Sequence, residues 1–494
     1  MSTAAEREET ALQATWEFAW NDYLHNRVDL AHKRAAPYLH LLSEALQRAS
    51  DAQQHNIASE TAAEMLADRL VTLADLHHIS GAAENDTVQL RHAIAAYEAH
   101  LRFCPGNGNA RRMRAECLLR CHDYAAAFAA FDAMYRQTLA APIADETEVA
   151  PVQLLMDAEC VEDAIRLGAD DAAGVHAAAA ANWRRLADSL CAAAPKHASS
   201  SGSTDASRRT PISALTVHQR SLLGAAFGKP LIAPPLRDET PIAALRTDID
   251  WAAAQHTYVT ERILVLDRLF SEPALARLQA YARHGAHFRS MRRGYLGAFP
   301  SDGVTHPLIR SLAEELERAA PLIFARHRLA LHWFFKYDAT NGEGIGIHAD
   351  PAAVNINIWL TDDSACLEGG GLAIYEHVPP KSAATAEVNK EFAPGAEERL
   401  REQLRAAGPT RTVPYACNRA AIFISDQYHE SLPFRFAVGY GNRRVNLTLL
   451  FGDRWCTDAD GDASGVDGSK IGAEVANAAT PSATAAADLW DVFD

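Results

Sequence analysis

The apolar positions of this chain change their period partway along. Up to about residue 192 they lie in Ala-, Leu-, Glu- and Arg-rich stretches with few β-branched clusters, which predicts helices. The run "YVTERILVLDRLFSEPALARLQAYARHG" reads as a strand and then an amphipathic helix, with Ser271 of Ser-Glu-Pro at the helix start. "HPLIRSLAEELERAAPLIFARH" predicts a second helix. From "LALHWFFKYD" onward strands separated by Gly-rich turns are expected, the pattern of a sandwich or barrel.

These shifts divide the chain into an α+β, multidomain arrangement. Residues 1–192 form a helical region, 193–215 a Ser/Ala/Pro-rich flexible linker, 216–255 a connector and 256–455 a β-rich domain. A polar, proline-flanked insertion at 376–411 interrupts the strands and carries a short helical stretch, "AEERLREQLRAAG". So long an excursion predicts a lid or a surface decoration. Residues 456–494 are Asp-, Ala- and Gly-rich and predict a disordered acidic tail.

Within the helical region, "AIAAYEAHLRFCPGNGNARRMRAECLLRCHDYAAAFAAFDAMY" resembles tetratricopeptide repeats. Ala127 with Phe131 repeats Ala93 with Tyr97 at about the 34-residue length of that family, and Pro105 closes the first unit. His77 and Ser80 replace the usual Trp and Leu, and His100 stands where a small residue is common. The alternative is an ordinary helical bundle.

Charge and cysteine usage narrow the function classes. A formal net charge of -16 argues against general nucleic-acid or anionic-membrane binding. No run approaches the roughly 18 apolar residues of a membrane span, and "MSTAAEREET" has acids where a leader would have bases. Eight scattered cysteines without a CxxC pair predict reduced thiols in a cytoplasmic protein.

Two motifs are decoys. Asp458, Asp460 and Asp462 match the start of a calcium loop, but Ala463 and Ser469 stand where Gly and a bidentate Glu are needed. Gly342, Gly344 and Gly346 have the wrong spacing for a dinucleotide fingerprint, and a strand follows them.

The candidate chemistry starts at "GIGIHADPAAVNINIWL". Residues two apart on a strand face one side, so His348 and Asp350 can offer a nitrogen and an oxygen to one ion. With 21 histidines about one such pair arises by chance. Downstream, "DQYHES" supplies His429, and "GNRRVNLTLLFG" supplies Arg443 and Arg444. Two histidines and one carboxylate on a β-scaffold are the ligand set of non-haem Fe(II) oxygenases, which leaves positions open for a chelating co-substrate and dioxygen. An arginine fork suits the far carboxylate of a dicarboxylate. Neighbours in a strand face opposite ways, so only one of Arg443 and Arg444 can enter the cavity. Arg444 shares the polar row of Asn446 and Thr448, while Arg443 shares the apolar row of Val445 and Leu447. His332, Glu376 and His377 lack a partner spacing and read as structural. Trp333, Phe334 and Phe335 read as core, with one of them an alternative candidate for the substrate mouth, and Asn355 and Asn357 are candidates to line the cavity.

Residues 256–455, through "HAD", "DQYHES" and "GNRRVNLTLLFG", resemble a 2-oxoglutarate- and Fe(II)-dependent dioxygenase of the prolyl-hydroxylase-like kind. The resemblance implies a double-stranded β-helix (jelly roll) with flanking helices. It implies iron ligands His348, Asp350 and His429, and 2-oxoglutarate contacts from Arg444, Asn446 and Tyr337. Cofactors would be Fe(II), 2-oxoglutarate and dioxygen, with ascorbate a further candidate. The expected activity is hydroxylation of a C–H bond in a protein or peptide substrate recruited by the helical region. The competing readings are a catalytically inactive peptide-binding adaptor and an oxygenase of a small molecule or nucleic acid.

Overall fold

The computed structural model describes residues 4–24, 27–55, 60–169, 171, 174–192, 209–224, 226–228, 241–285, 287–292, 294–337, 341–342, 344–379, 396–408 and 410–453. The linker at 193–208, the middle of the insertion at 380–395 and the acidic tail with its Asp458 loop lie outside these residues.

The first half is helical. Asp86, Asn107 and Asp123 each accept a backbone N–H ahead of the helices Thr87–Phe103, Gly108–Arg120 and Tyr124–Ala140. With the helix Glu60–Glu84 they form two helix pairs where the two repeats are expected. Ala93, Tyr97, Ala127 and Phe131 are all buried. Gly81 sets the close approach in the first pair, because a Cβ there would lie 2.7 Å from Cγ of Leu90. His100 is accommodated by polar contacts rather than by size. Its Nδ1 lies 2.8 Å from the Ala67 carbonyl and its Nε2 3.0 Å from Asn107 Nδ2.

A short antiparallel pair, β1 (Glu148–Val149) with β2 (Thr210–Pro211), follows. Ile212 and Leu215, at the end of the expected linker, join a core with Leu154 and Trp183. Two apolar residues anchor a stretch whose average composition hides them.

The second half holds β3 (Ile263–Leu266), β4 (Ser290–Arg292), β5 (Tyr295–Ala298), β6 (Leu329–Tyr337), β7 (Asn341–Gly342), β8 (Val354–Trp359) and β9 (Cys366–Gly369). It continues with β10 (Leu372–Tyr375), β11 (Thr410–Val413), β12 (Ala420–Ile424), β13 (His429–Ser431), β14 (Phe434–Phe436) and β15 (Val445–Phe451). Seven of these form one sheet in the order β3-β12-β8-β15-β6-β5-β4, with two three-stranded sheets, β11-β10-β13 and β7-β14-β9, beside it. All pairings are antiparallel, an arrangement consistent with a jelly roll. Tyr258 to Glu261, expected at the start of a strand, instead end the helix Trp251–Glu261, whose N-cap is Asp250. The strand proper begins at Ile263.

Period-two alternation gives the large sheet two unlike faces. Outward, Val354, Ile356, Ile358, Ala420, Ile422, Leu447 and Leu449 pack with Leu308, Leu312 and Leu316 of the helix Pro307–Ala319. The same cluster contains Leu119, Phe128 and Phe131, so the helical half and the sheet share a core. Polar contacts seal the seam: the Tyr124 hydroxyl donates to Glu317 and accepts from Leu329 N–H at 2.8 Å, and Arg120 pairs with Asp453. Inward, Trp333, Phe335 and Tyr337 pack with Phe434 and Phe436, while Trp359 and Phe423 pack with Leu372 and Ile374. Among the described residues no helix is long and apolar enough to cross a membrane.

Candidate metal centre

Three segments converge between the sheets. His348 and His429 face each other as an isolated antiparallel bridge, exchanging backbone hydrogen bonds of 2.9 and 2.8 Å, and their ring centroids lie 4.2 Å apart. Asp350 is tied to the end of β12: its N–H donates to the Ser425 carbonyl at 3.1 Å, and Ser425 Oγ returns a bond to the Asp350 carbonyl. One ligand atom from each of His348, Asp350 and His429 fits within a 4.8 Å cluster.

The histidine orientations suit a cation. Nδ1 of His348 lies 2.8 Å from the Gly346 carbonyl and Nδ1 of His429 lies 2.9 Å from that of Gln427. A ring held in this way carries its proton on Nδ1, so each Nε2 turns a lone pair toward Asp350. Their distances to the carboxylate oxygens are 4.0 Å from His348 and 3.5 Å from His429. Burial, reinforced by the neighbouring His429 ring, pushes His348 down to about 4, which leaves it a neutral donor near pH 7. For Asp350 burial acts to raise the pKa, but the imidazoles of His429 and His348 and the Asn355 amide outweigh it and hold the carboxylate below its ordinary value.

Asp350 also shows what is missing. Oδ2 accepts from Asn355 Nδ2 at 2.6 Å, whereas Oδ1 is buried without a hydrogen-bond partner. An orphaned carboxylate oxygen is costly unless something positive meets it. Beside two Nε2 lone pairs it completes an N,N,O donor set, so the residues fit a divalent transition-metal ion.

A polar chain runs from this cluster along the inner face. Asn355 Oδ1 accepts from Asn357 at 3.0 Å, and Asn357 Oδ1 accepts from Thr448 at 3.0 Å and from Asn446 at 3.3 Å. Asn355 and Asn357 thus link Asp350 to β15. Next to Asn446 on this face is Arg444, 2% exposed. Its guanidinium carbon lies 4.4 Å from the Tyr337 ring centroid, and Nε and Nη2 donate to the Gly370 carbonyl at 3.1 and 3.0 Å. Nη1 is buried with no hydrogen-bond partner. Tyr337 in turn contacts Ser431 Oγ at 3.1 Å, two residues beyond His429. Arg443 faces the other way and pairs with Glu159 of the helical half at 2.5 Å.

The remaining candidates fall elsewhere. His332 lies on the outer face, bonded to the Val304 carbonyl and stacked on Phe128. Glu376 and His377 are exposed, the first paired with Arg411 and the second stacked on Tyr428. Trp333 and Phe335 are inner-face core and Phe334 is outer-face core.

Sequence reasoning missed two features. The Gly369–Gly371 triplet allows the approach that presents the Gly370 carbonyl to Arg444; a Cβ on Gly369 would lie 1.9 Å from the Pro433 carbonyl oxygen. Three consecutive glycines before a strand were the available signal. The second is a clamp on Glu430, which accepts from Tyr375 at 2.5 Å and from Arg401 at 2.7 Å. Arg401 belongs to the insertion helix Ala396–Ala407, whose Leu400 and Leu404 pack on Ile347, Tyr375 and Tyr428. The helix is therefore docked on neighbours of both histidines.

No family model matches the chain, and no curated protein matches it. Solved structures similar to it include the non-haem α-ketoglutarate-dependent epimerase SnoN from nogalamycin biosynthesis, 13% identical over 41% of this chain and 83% of that one, with TM-score 0.31. A prolyl-4-hydroxylase from Pseudomonas putida is 16% identical over 41% of this chain and 99% of its own, with TM-score 0.28. A 2OG-Fe(II) oxygenase family oxidoreductase from Burkholderia pseudomallei is 13% identical over 43% and 99%, also at 0.28.

Proposed function

We propose that the chain is an Fe(II)- and 2-oxoglutarate-dependent oxygenase that hydroxylates a C–H bond. The observation that carries this reading is a pairing on the inner face of the sheet. A largely buried N,N,O cluster with an orphaned carboxylate oxygen is joined there, through Asn355, Asn357 and Asn446, to the row that holds a buried arginine with an unused donor.

His348, Asp350 and His429 would hold the iron. Arg444 would bind the far carboxylate of 2-oxoglutarate through Nη1, because a buried guanidinium bonded only to a carbonyl calls for an anion. Tyr337 fixes the plane of that guanidinium, and Asn446 offers a neighbouring amide. With dioxygen, the bound iron and 2-oxoglutarate supply an oxidant able to take hydrogen from a C–H bond. The protein's part is to orient the donors, to leave room for the co-substrate and to wall the site with Phe423, whose ring centroid lies 5.0 Å from that of His429.

A protein or peptide is the substrate class we favour, with a prolyl residue the first candidate. Support comes from the helical half, whose two helix pairs stand where tetratricopeptide repeats are expected and are joined to the sheet by a common core. The reading includes a reducing compartment such as the cytoplasm. Its test is succinate release from 2-oxoglutarate by the Fe(II)-loaded protein, with mass spectrometry of lysate proteins for one added oxygen. Protein that binds Fe(II) but releases no succinate with any lysate fraction would overturn the reading.

A further inference from the structure

A cavity lies on the side of the large sheet opposite the metal centre. It is an open cleft of about 880 Å3 between the helix Pro151–Arg166, the helix Glu272–Ala280 and the β6 and β15 edge near Lys336 and Val445. That volume is within the range of small-molecule sites. One part of its wall is apolar, including Ala164, Ala280 and Leu360, and another is cationic, including Arg283, Lys336 and Arg443.

Lys336 is the unusual member. It is 1% exposed, yet none of its hydrogen bonds goes to a carboxylate: Nζ donates to the Tyr440 hydroxyl at 2.7 Å and to the Arg283 carbonyl at 3.2 Å. An ammonium has three donors, so one is left over. Rings of Phe288 and Tyr440 lie 4.3 and 4.4 Å from Nζ and give partial compensation. Burial pulls its pKa down to about 7, as expected of a cation without a counter-anion.

Of the nearby acids two are engaged by cations, while the carboxylate of Asp362, exposed at the cavity rim, accepts only from Gln279 at 3.2 Å among the described residues. Asp163 accepts from Arg283 at 2.6 Å, from His284 at 2.8 Å and from Arg166, while Glu159 takes Arg443. Among the described residues Lys336 is thus the one cation of this wall with no carboxylate bonded to it, and it stands beside an apolar surface.

We propose that this cavity binds a small organic anion with an apolar body, a medium-chain carboxylate in class. The carboxylate meets Lys336 and Arg283, and the chain lies along Ala164, Ala280 and Leu360. Lys336 and Arg443 alternate along the chain with Tyr337 and Arg444 and face the other way, so the site is separate from the metal centre and independent of the oxygenase reading.

Isothermal titration of the full chain with octanoate, without iron or 2-oxoglutarate, tests this. Saturable binding at one site is expected, weakened at least tenfold by Lys336→Met and by Ala280→Trp, and unchanged in Arg444→Ala. Inorganic phosphate, which lacks the apolar body, should bind at least tenfold more weakly than octanoate. If Lys336→Met does not fold, Ala280→Trp decides, since it fills the cavity and keeps the lysine. Absence of saturable octanoate binding overturns the proposal, as does binding that survives Ala280→Trp but is lost in Arg444→Ala. Phosphate binding as tight as octanoate overturns the assignment of an apolar body.

Discussion

The inner and outer faces of the large sheet are made by the same strands, one residue out of step. On β15, Asn446 and Thr448 look inward to the asparagine chain, while Leu447 and Leu449 look outward to the helix Pro307–Ala319. β8 repeats the division, with Asn355 and Asn357 inward and Ile356 and Ile358 outward. Both faces are buried, yet they solve opposite problems. Outside, apolar contact removes surface from water and stabilises the fold. Inside, polar groups are buried with hydrogen bonds chosen to leave Asp350 Oδ1 and Arg444 Nη1 unmatched. On β8 and β15 the inner face therefore keeps polar groups unmatched beside the metal centre, while the outer face is closed by apolar contact.

Loss of a ligand tests this division most severely. His348→Ala or His429→Ala should lower Fe(II) affinity by roughly a hundredfold or more, since outer partners of ligands alone are worth 10–100-fold. Succinate release should vanish while the circular dichroism spectrum is unchanged. Full activity in either variant would remove the cluster from the mechanism.

Leu447→Ala probes the outer face. It should cost about 3 kcal/mol in chemical denaturation, with the Michaelis constant for 2-oxoglutarate unaltered. A change in that constant at constant stability would mean that the faces are not independent.

Adjacent arginines sharpen the comparison. Arg444→Ala removes a charge-assisted pair and should cost about 2–4 kcal/mol of co-substrate binding, a rise of roughly a hundredfold in the Michaelis constant. Arg443→Ala should leave that constant near its starting value and cost about 1 kcal/mol of stability through Glu159. The reverse pattern in steady-state kinetics would show the co-substrate on the other side of the sheet.

The smallest effect is expected at Asn355. Asn355→Ala frees Asp350 Oδ2 and should weaken Fe(II) binding by about tenfold, measured by metal titration. No change would make the asparagine a packing residue.

Much of this arrangement was legible in the chain. Ser271 does cap a helix, the stretch 396–407 is helical within the insertion, and "LALHWFFKYD" opens a strand. Parity separated Arg444 from Arg443, although it could not say which row faced the metal cluster. Asn355 and Asn357 stood out as polar residues on a strand otherwise made for a core, but their partners did not. β-branched residues around Tyr258 suggest a strand, whereas the Asp250 cap and the packing of Ala254 and Tyr258 place it in a helix.

What the sequence determined by itself was local: helix caps, the period of each segment, the residue types able to bind a metal and the row each occupies. Those properties depend on neighbours one to four positions away, where covalent geometry sets which side chains share a face. Only the tertiary structure decided that Gly370 offers its carbonyl to Arg444, that Arg443 crosses to Glu159 and that Lys336 is buried without a carboxylate bonded to it. Each of these joins residues far apart in the chain. Their meeting depends on how sheets and helices pack as whole bodies, and period and propensity carry no record of that packing.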